Sequence, residues 1–179
     1  MAERAEVEGP RLRAHAELAA TGRANVATGL PVLDHLLTLL AEYASFELAL
    51  EVAPGGAEAE VVAAGQALGE ALFEALRAEG ARRHGSAVVP ADDALAHVAL
   101  EASGRPLVVA NVDFSDERVG GLDTDLVSRF LHELAEGAGL TLHLRLIDGS
   151  DPTHVLDAIF KALGVALAQA CRQRTPRES

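Results

Sequence analysis

A chain of 179 residues, 49% of them apolar, is long enough to bury one continuous core or two intimate halves that are each marginal alone. Its formal charge of -12 argues against nucleic acid as a partner, because counterion release from a phosphate backbone requires a basic face. One cysteine, Cys171, rules out an internal disulfide framework, and no charged-then-apolar leader or membrane-length apolar run is read in it, so the expectation is a cytoplasmic protein without membrane contact.

Strict alternation predicts a first strand, with Leu12, Ala14, Ala16 and Leu18 on one face and Arg11, Arg13, His15 and Glu17 on the other. Helical spacing follows at Leu33, Leu36, Leu37 and Leu40, and alternation returns at Phe46, Leu48, Leu50 and Val52. Pro54-Gly55-Gly56 reads as a turn, after which Val61, Leu68, Leu72 and Leu76 form the stripe of a second helix. Ser115 to Gly121 reads as turns or loops. Leu126, Phe130 and Leu134 then mark a helix that Gly137 and Gly139 stop, and Leu140, Leu142, Leu144 and Leu146 mark a strand. The last helix carries Val155, Ile159, Phe160, Leu163 and Leu167. Asp151 is placed to cap it, and Pro152 at its first position gives up a donor the helix does not use. Arg172 to Ser179 reads as a polar, frayed tail.

The chain repeats itself. Ala14-His15-x-x-Leu18-x-Ala20-Thr21-Gly22-Arg23 returns as Ala96-His97-x-x-Leu100-x-Ala102-Ser103-Gly104-Arg105, and Gln66-Ala67-Leu68-Gly69-Glu70-Ala71-Leu72 returns as Lys161-Ala162-Leu163-Gly164-Val165-Ala166-Leu167. Two copies in conserved order predict an internal duplication of a strand-helix-strand-helix unit, residues 1–87 and 88–179, in one intimate globular body. The predicted class is α+β (two-layer α/β): two antiparallel-rich sheets, each with helices on one face, related by a pseudo-twofold axis. Abundant alanine implies close helix-to-sheet packing and further burial by self-association.

Thr28-Gly29-Leu30-Pro31-Val32-Leu33-Asp34-His35-Leu36-Leu37 closely resembles the segment that identifies imidazoleglycerol-phosphate dehydratases, enzymes of histidine biosynthesis. The resemblance continues, collinearly, through Arg83-His84-Gly85-Ser86, Pro90-Ala91-Asp92-Asp93-Ala94-Leu95, Ser103-Gly104-Arg105-Pro106, Val119-Gly120-Gly121-Leu122-Asp123-Thr124-Asp125-Leu126-Val127 and Phe160-Lys161-Ala162. It implies a duplicated α/β fold, trimers that build a larger symmetric particle, and a two-manganese site between subunits. The implied reaction removes water from imidazoleglycerol phosphate, with metal-bound imidazolate as the electron sink. His35 matches an active-site position, and Arg83, Arg105 and Lys161 match positions that bind or face the phosphorylated substrate.

The chain departs from the family where metal is held. The family's His-His-x-x-Glu window, which puts an imidazole and a carboxylate on one helix face, reads Glu58-Ala59-Glu60-Val61-Val62 in the first half and Thr153-His154-Val155-Leu156-Asp157 in the second. His154 and Asp157 are the residual metal candidates, fewer than the donors manganese usually takes. Arg129 stands at a ligand histidine, Tyr43 replaces a second histidine, the family's N-terminal glutamate region matches a stretch around Gly9 and Pro10, and its Ser-x-Lys segment has no counterpart in Arg172 to Ser179. The expectation is therefore a non-catalytic or repurposed relative with no cofactor, or manganese if the site is retained in some form. Its expected partners are a small phosphorylated ligand, copies of itself in a trimer or larger particle, and an authentic dehydratase in mixed assembly. The alternative is an active hydro-lyase with atypical or partner-supplied ligands. His15, His84, His97, His132 and His143 are assigned no role, and Cys171 has no evident activating base.

Overall fold

A computed structural model describes residues 13–19, 24–115 and 117–174. Leu12, the Gly9-Pro10 stretch, Ala20 to Arg23 of the first repeat and residues 175–179 lie outside the described residues. In chain order the elements are β1 (Ala14–Ala19), β2 (Ala24–Ala27), α1 (Pro31–Ala44), β3 (Glu47–Val52), α2 (Ala57–Leu76), β4 (His84–Ala91), β5 (Ala94–Glu101), β6 (Leu107–Ala110), β7 (Arg118–Val119), β8 (Leu122–Asp123), α3 (Thr124–Ala138), β9 (Thr141–Asp148) and α4 (Pro152–Cys171).

One path is traced twice. In the first sheet, ordered β1-β3-β2, antiparallel β1 sets Leu18 opposite Leu48, and β2 lies parallel to β3. In the second, ordered β4-β5-β9-β6, antiparallel β5 sets Leu100 opposite Leu142, and β6 lies parallel to β9. Most of the pairing is antiparallel, and each sheet adds one parallel edge strand. Each first helix is a crossover between two strands of one sheet, and such a crossover lays them parallel. Apolar alternation reports which face is buried and carries no direction.

β4, which contains residues 87 and 88, pairs over its whole length with β5. Within Ser115 to Gly121, read as turns or loops, β7 begins a short hairpin whose turn residues, Gly120 (φ 55°) and Gly121 (φ 85°), supply the left-handed backbone a two-residue turn needs. Two local expectations are corrected. Gly139 alone caps α3 (φ 64°), while Gly137 stays helical and meets Gly69 of α2. Arg172 to Arg174 is not frayed, since the Arg82 N–H donates to the Arg172 carbonyl at 2.9 Å and the Arg174 N–H to the Gly80 carbonyl at 2.7 Å.

The helices lie between the sheets and cross from half to half. α1 and α2 cover the first sheet, α3 and α4 the second, while α2 packs on α3 and α4 on α1. Leu33, Leu36, Leu37, Leu40, Leu134 and Phe130 are therefore buried in a core common to both halves, and Phe130 meets Phe160 at a ring-centroid distance of 6.0 Å. α4 is the one helix among the described residues long and apolar enough to cross a membrane, yet it packs between α1 and β4–β5 as a core helix. The seams need small residues: a Cβ on Gly164 would lie 2.3 Å from the Leu40 carbonyl oxygen, and one on Gly69 2.9 Å from Gly137. Gly164→Ala is expected to destabilise the fold by about 1–3 kcal/mol through overpacking, read as a lowered midpoint in thermal or denaturant unfolding.

Candidate functional site

His35 is positioned by the entry to α1. The Thr28 backbone N–H and hydroxyl both donate to Asp34 Oδ1, at 2.8 and 2.5 Å, and the Leu30 N–H donates to Thr28 Oγ1 at 3.2 Å. Thr28 is completely buried, so the loop is locked to the first helical turn and His35 is left on the exposed flank. There its Nε2 lies 3.1 Å from Asp157 Oδ1 of α4. Nothing in the spacing of the sequence joins these two residues. The α4–α1 packing does.

α4 exposes one narrow stripe, on which His154, Asp157 and Lys161 succeed one another at helical spacing. His154 and Asp157 do not pair with each other. His154 Nδ1 lies 2.6 Å from Asp93 Oδ1 and its Nε2 3.4 Å from Asp92 Oδ2, both on the β4–β5 turn, with Asp151 Oδ2 at 3.9 Å. The hydrogen bond to Asp93 raises the His154 pKa above its ordinary 6.5, aided by the charges of Asp151 and Asp92. The same bond holds Asp93 below its ordinary 3.8. Lys161 Nζ lies 5.4 Å from the Tyr43 ring centroid, a cation–π contact.

The equivalent seam in the other half has a different filling. Counted back from the left-handed caps Ser45 and Gly139, Arg129 has on α3 the place that His35 has on α1. Its Nη2 meets Glu133 Oε1 at 3.2 Å, and Glu133 Oε2 accepts from the Gln66 side-chain amide at 3.0 Å. At the start of α2, Glu58 and Ala59 are exposed, whereas Glu60 is only 6% exposed. Glu60 turns inward, accepts the Gly55 N–H at 3.0 Å and lies against Gly29. Among the described residues no group of three or more His, Cys, Asp and Glu side chains is placed to hold a metal ion. The donors of one chain thus do not fit a two-manganese centre.

Arg83 and Arg105 are fixed through their backbones at one end of the second sheet. The Arg83 N–H donates to the Ala170 carbonyl at 2.8 Å and its carbonyl accepts the Ala102 N–H at 2.7 Å, with Arg83 itself left-handed at φ 67°. The Arg105 N–H donates to Ser103 Oγ at 3.0 Å, and its carbonyl accepts the Thr141 hydroxyl at 3.1 Å. Neither guanidinium has a carboxylate partner among the described residues. Arg83 precedes β4 and Arg105 precedes β6, the two edge strands of that sheet, and Lys161 lies roughly 13 Å farther along the α4 axis from Ala170 at 1.5 Å per residue.

The sequence model of the imidazoleglycerol-phosphate dehydratase family matches residues 28–167. The chain belongs to this family. Imidazoleglycerol-phosphate dehydratase from Clostridium botulinum (strain Kyoto) is 38% identical over 164 residues, covering 89% of this chain and 83% of that protein. The dehydratase from Desulforudis audaxviator is 40% identical over 171 residues, covering 93% and 87%. Among solved structures, the dehydratase from Staphylococcus aureus N315 superposes with a TM-score of 0.83 at 32% identity, covering 90% of this chain and 95% of that one. The Pyrococcus furiosus enzyme also gives 0.83, at 30% identity and coverages of 96% and 95%.

Within this dehydratase fold, sequence reasoning missed Asp93 and Asp92 as partners of His154, the inward turn of Glu60, and the Arg129–Glu133–Gln66 ladder. The only available signal was the Asp92-Asp93 turn between two strands, and it does not reveal a partner far along the chain.

The His154 imidazolium is stabilised fully below pH 6.5 and loses this contribution as pH rises through its raised pKa. Asp93 contributes fully above 3.8 and loses it as pH falls through its lowered pKa, so the pair is at full strength between these values. An NMR titration is expected to place the His154 midpoint above 6.5, and Asp93→Asn to lower it. A midpoint unmoved by Asp93→Asn would contradict the assignment.

Proposed function

We propose that this family member keeps the dehydratase scaffold and an arginine anion site but has lost manganese-dependent dehydration of imidazoleglycerol phosphate. The start of α2 carries this reading. Where the family has His-His-x-x-Glu the helix has Glu58, Ala59 and Val62, and its one buried acid, Glu60, is committed to Gly55. Arg129, at the counterpart of His35, is a guanidinium with no lone pair to offer a metal and is already paired with Glu133. His35, Asp157 and His154 are divided between two separate pairs.

A metal bound to the imidazole would supply the electron sink that makes the carbon-bound proton acidic. The donors present in one chain do not fit it, so no dehydration step is assigned to it here. The retained chemistry is recognition. Arg83 and Arg105 offer fork-shaped donors to a phosphate monoester, and Lys161 faces a ligand from another position. Val88, Leu107, Val109 and Ile147, all 44–54% exposed, lie on the outer face of the second sheet and suit self-association, or mixed assembly with an authentic dehydratase, in the cytoplasm where histidine is made.

An active dehydratase that draws ligands from a neighbouring subunit is the second reading. It is favoured by identities of 38–40% to proteins named as dehydratases and by the imidazole–carboxylate contact of His35 and Asp157. Untagged protein incubated with manganese and gel-filtered separates the two. The first reading expects no retained metal by elemental analysis and no turnover, whereas about two ions per chain with turnover establishes the second. Independently, Arg83→Ala and Arg105→Ala are each expected to weaken glycerol phosphate binding about ten-fold, the loss of a charge-assisted hydrogen bond. Unchanged calorimetric affinity in both would remove the anion site.

A further inference from the structure

Each half has a space bounded by the end of its parallel edge strand, the end of its central strand and the start of its second helix. In the first half that space is closed by the chain itself, with the Glu60 side chain turned in against Gly29 and Gly55. Aligning the α2 and α4 repeats at Gly69 and Gly164 puts Val155 where Glu60 stands. Valine is too short to close it, and Asn111 to Phe114 after β6 line a cavity of ≈ 190 Å³ instead. A dry cavity of about 150 Å³ accommodates benzene, so this one has room for a ring and a short arm.

The lining defines the ligand. Val112, Phe114, Leu146, Val155 and Leu156 contribute apolar surface, and no Lys, Arg or His among the described residues lines the cavity. Ser150 adds a hydroxyl, and two other neutral polar side chains are already engaged. Asn111 donates to the Leu146 carbonyl at 3.2 Å and accepts the Leu146 N–H at 2.7 Å, and the Thr124 hydroxyl donates to the Phe114 carbonyl. Two helix starts adjoin the cavity but offer an anion little. The Thr124 N–H donates to the Glu117 carbonyl at 3.0 Å, the Thr153 N–H to Asp151 Oδ1 at 2.9 Å, and the Val155 N–H to the Asp151 carbonyl at 2.9 Å. Among the described residues the charges at the mouth are Asp113 and Glu117. Asp113 is held in place by Ser115, whose N–H and hydroxyl donate to its Oδ1 at 2.8 and 2.5 Å, and these bonds keep its pKa below the ordinary carboxylate value.

We infer that this cavity binds a small organic cation, an ammonium group on a compact apolar body, with the body against Phe114 and Leu146 and the charge at Asp113 and Glu117. The site is separate from the arginine end of the sheet and from the His35–Asp157 contact, so it stands or falls independently of the function proposed above.

Methyl-resolved NMR of the full chain, titrated with benzylamine, benzyl alcohol and benzoate, tests it. Benzylamine is expected to shift the Leu146, Val155 and Leu156 methyls and benzoate to leave them unmoved. Asp113→Asn, with the amide spectrum checked for an unchanged loop, should weaken benzylamine about two- to five-fold, the worth of an exposed charge pair. Val155→Phe, with folding checked by its amide spectrum, should fill the cavity and abolish the shifts. No methyl shifts with benzylamine, equal binding of benzoate or benzyl alcohol, or an affinity untouched by Asp113→Asn would each overturn the inference.

Discussion

The molecule depends on the close approach of helix backbones at glycine. Gly65 and Gly69 of α2 meet the Phe130–Ala138 stretch of α3, and Gly164 of α4 meets Leu40 and Ala44 of α1. At these points there is no room for a methyl group, so the leucine and phenylalanine stripes on either side interlock at a separation that larger residues forbid. Because α2 crosses to α3 and α4 to α1, neither half closes its own core. The two halves are energetically interdependent.

The chemistry lies along these same seams. On one, α1 and α4 bring His35 to Asp157 and Tyr43 to Lys161. On the other, α2 and α3 bring Gln66 and Arg129 to Glu133. Both rows are largely solvent-accessible, where ion pairs contribute little to stability. Their content is therefore free to differ between halves without disturbing the leucine layer beneath. Glu133 neutralises Arg129 and takes the Gln66 amide as well, which leaves that seam internally satisfied.

The same freedom operates at the helix entries. Both halves bring two strand ends and a helix start together, yet Glu60 closes one space and Val155 leaves the other open. A buried carboxylate needs a donor, which Gly55 supplies, whereas Val155 needs only apolar neighbours. One substitution at equivalent positions thus separates a plugged half from a hollow one, on a backbone whose path is otherwise repeated.

What the sequence determined by itself is the periodic part. The helical stripes at Leu33–Leu40 and Val155–Leu167, the alternating strand at Leu140–Leu146, the Asp151 cap and the repeat of the two units are local patterns, because side-chain direction follows from period alone. The family motifs were likewise legible, as was the absence of histidines from Glu58–Val62. Tertiary structure decided the pairings. The parallel placement of β2 and β6, the membership of β4 in the second sheet, the contact of His35 with Asp157 rather than of His154 with Asp157, and the capture of His154 by Asp93 join residues far apart in the chain. A helix face specifies only which side chains point outward together. Which neighbour they meet is set by where the glycine seams let a second helix lie, and that information is distributed over both halves.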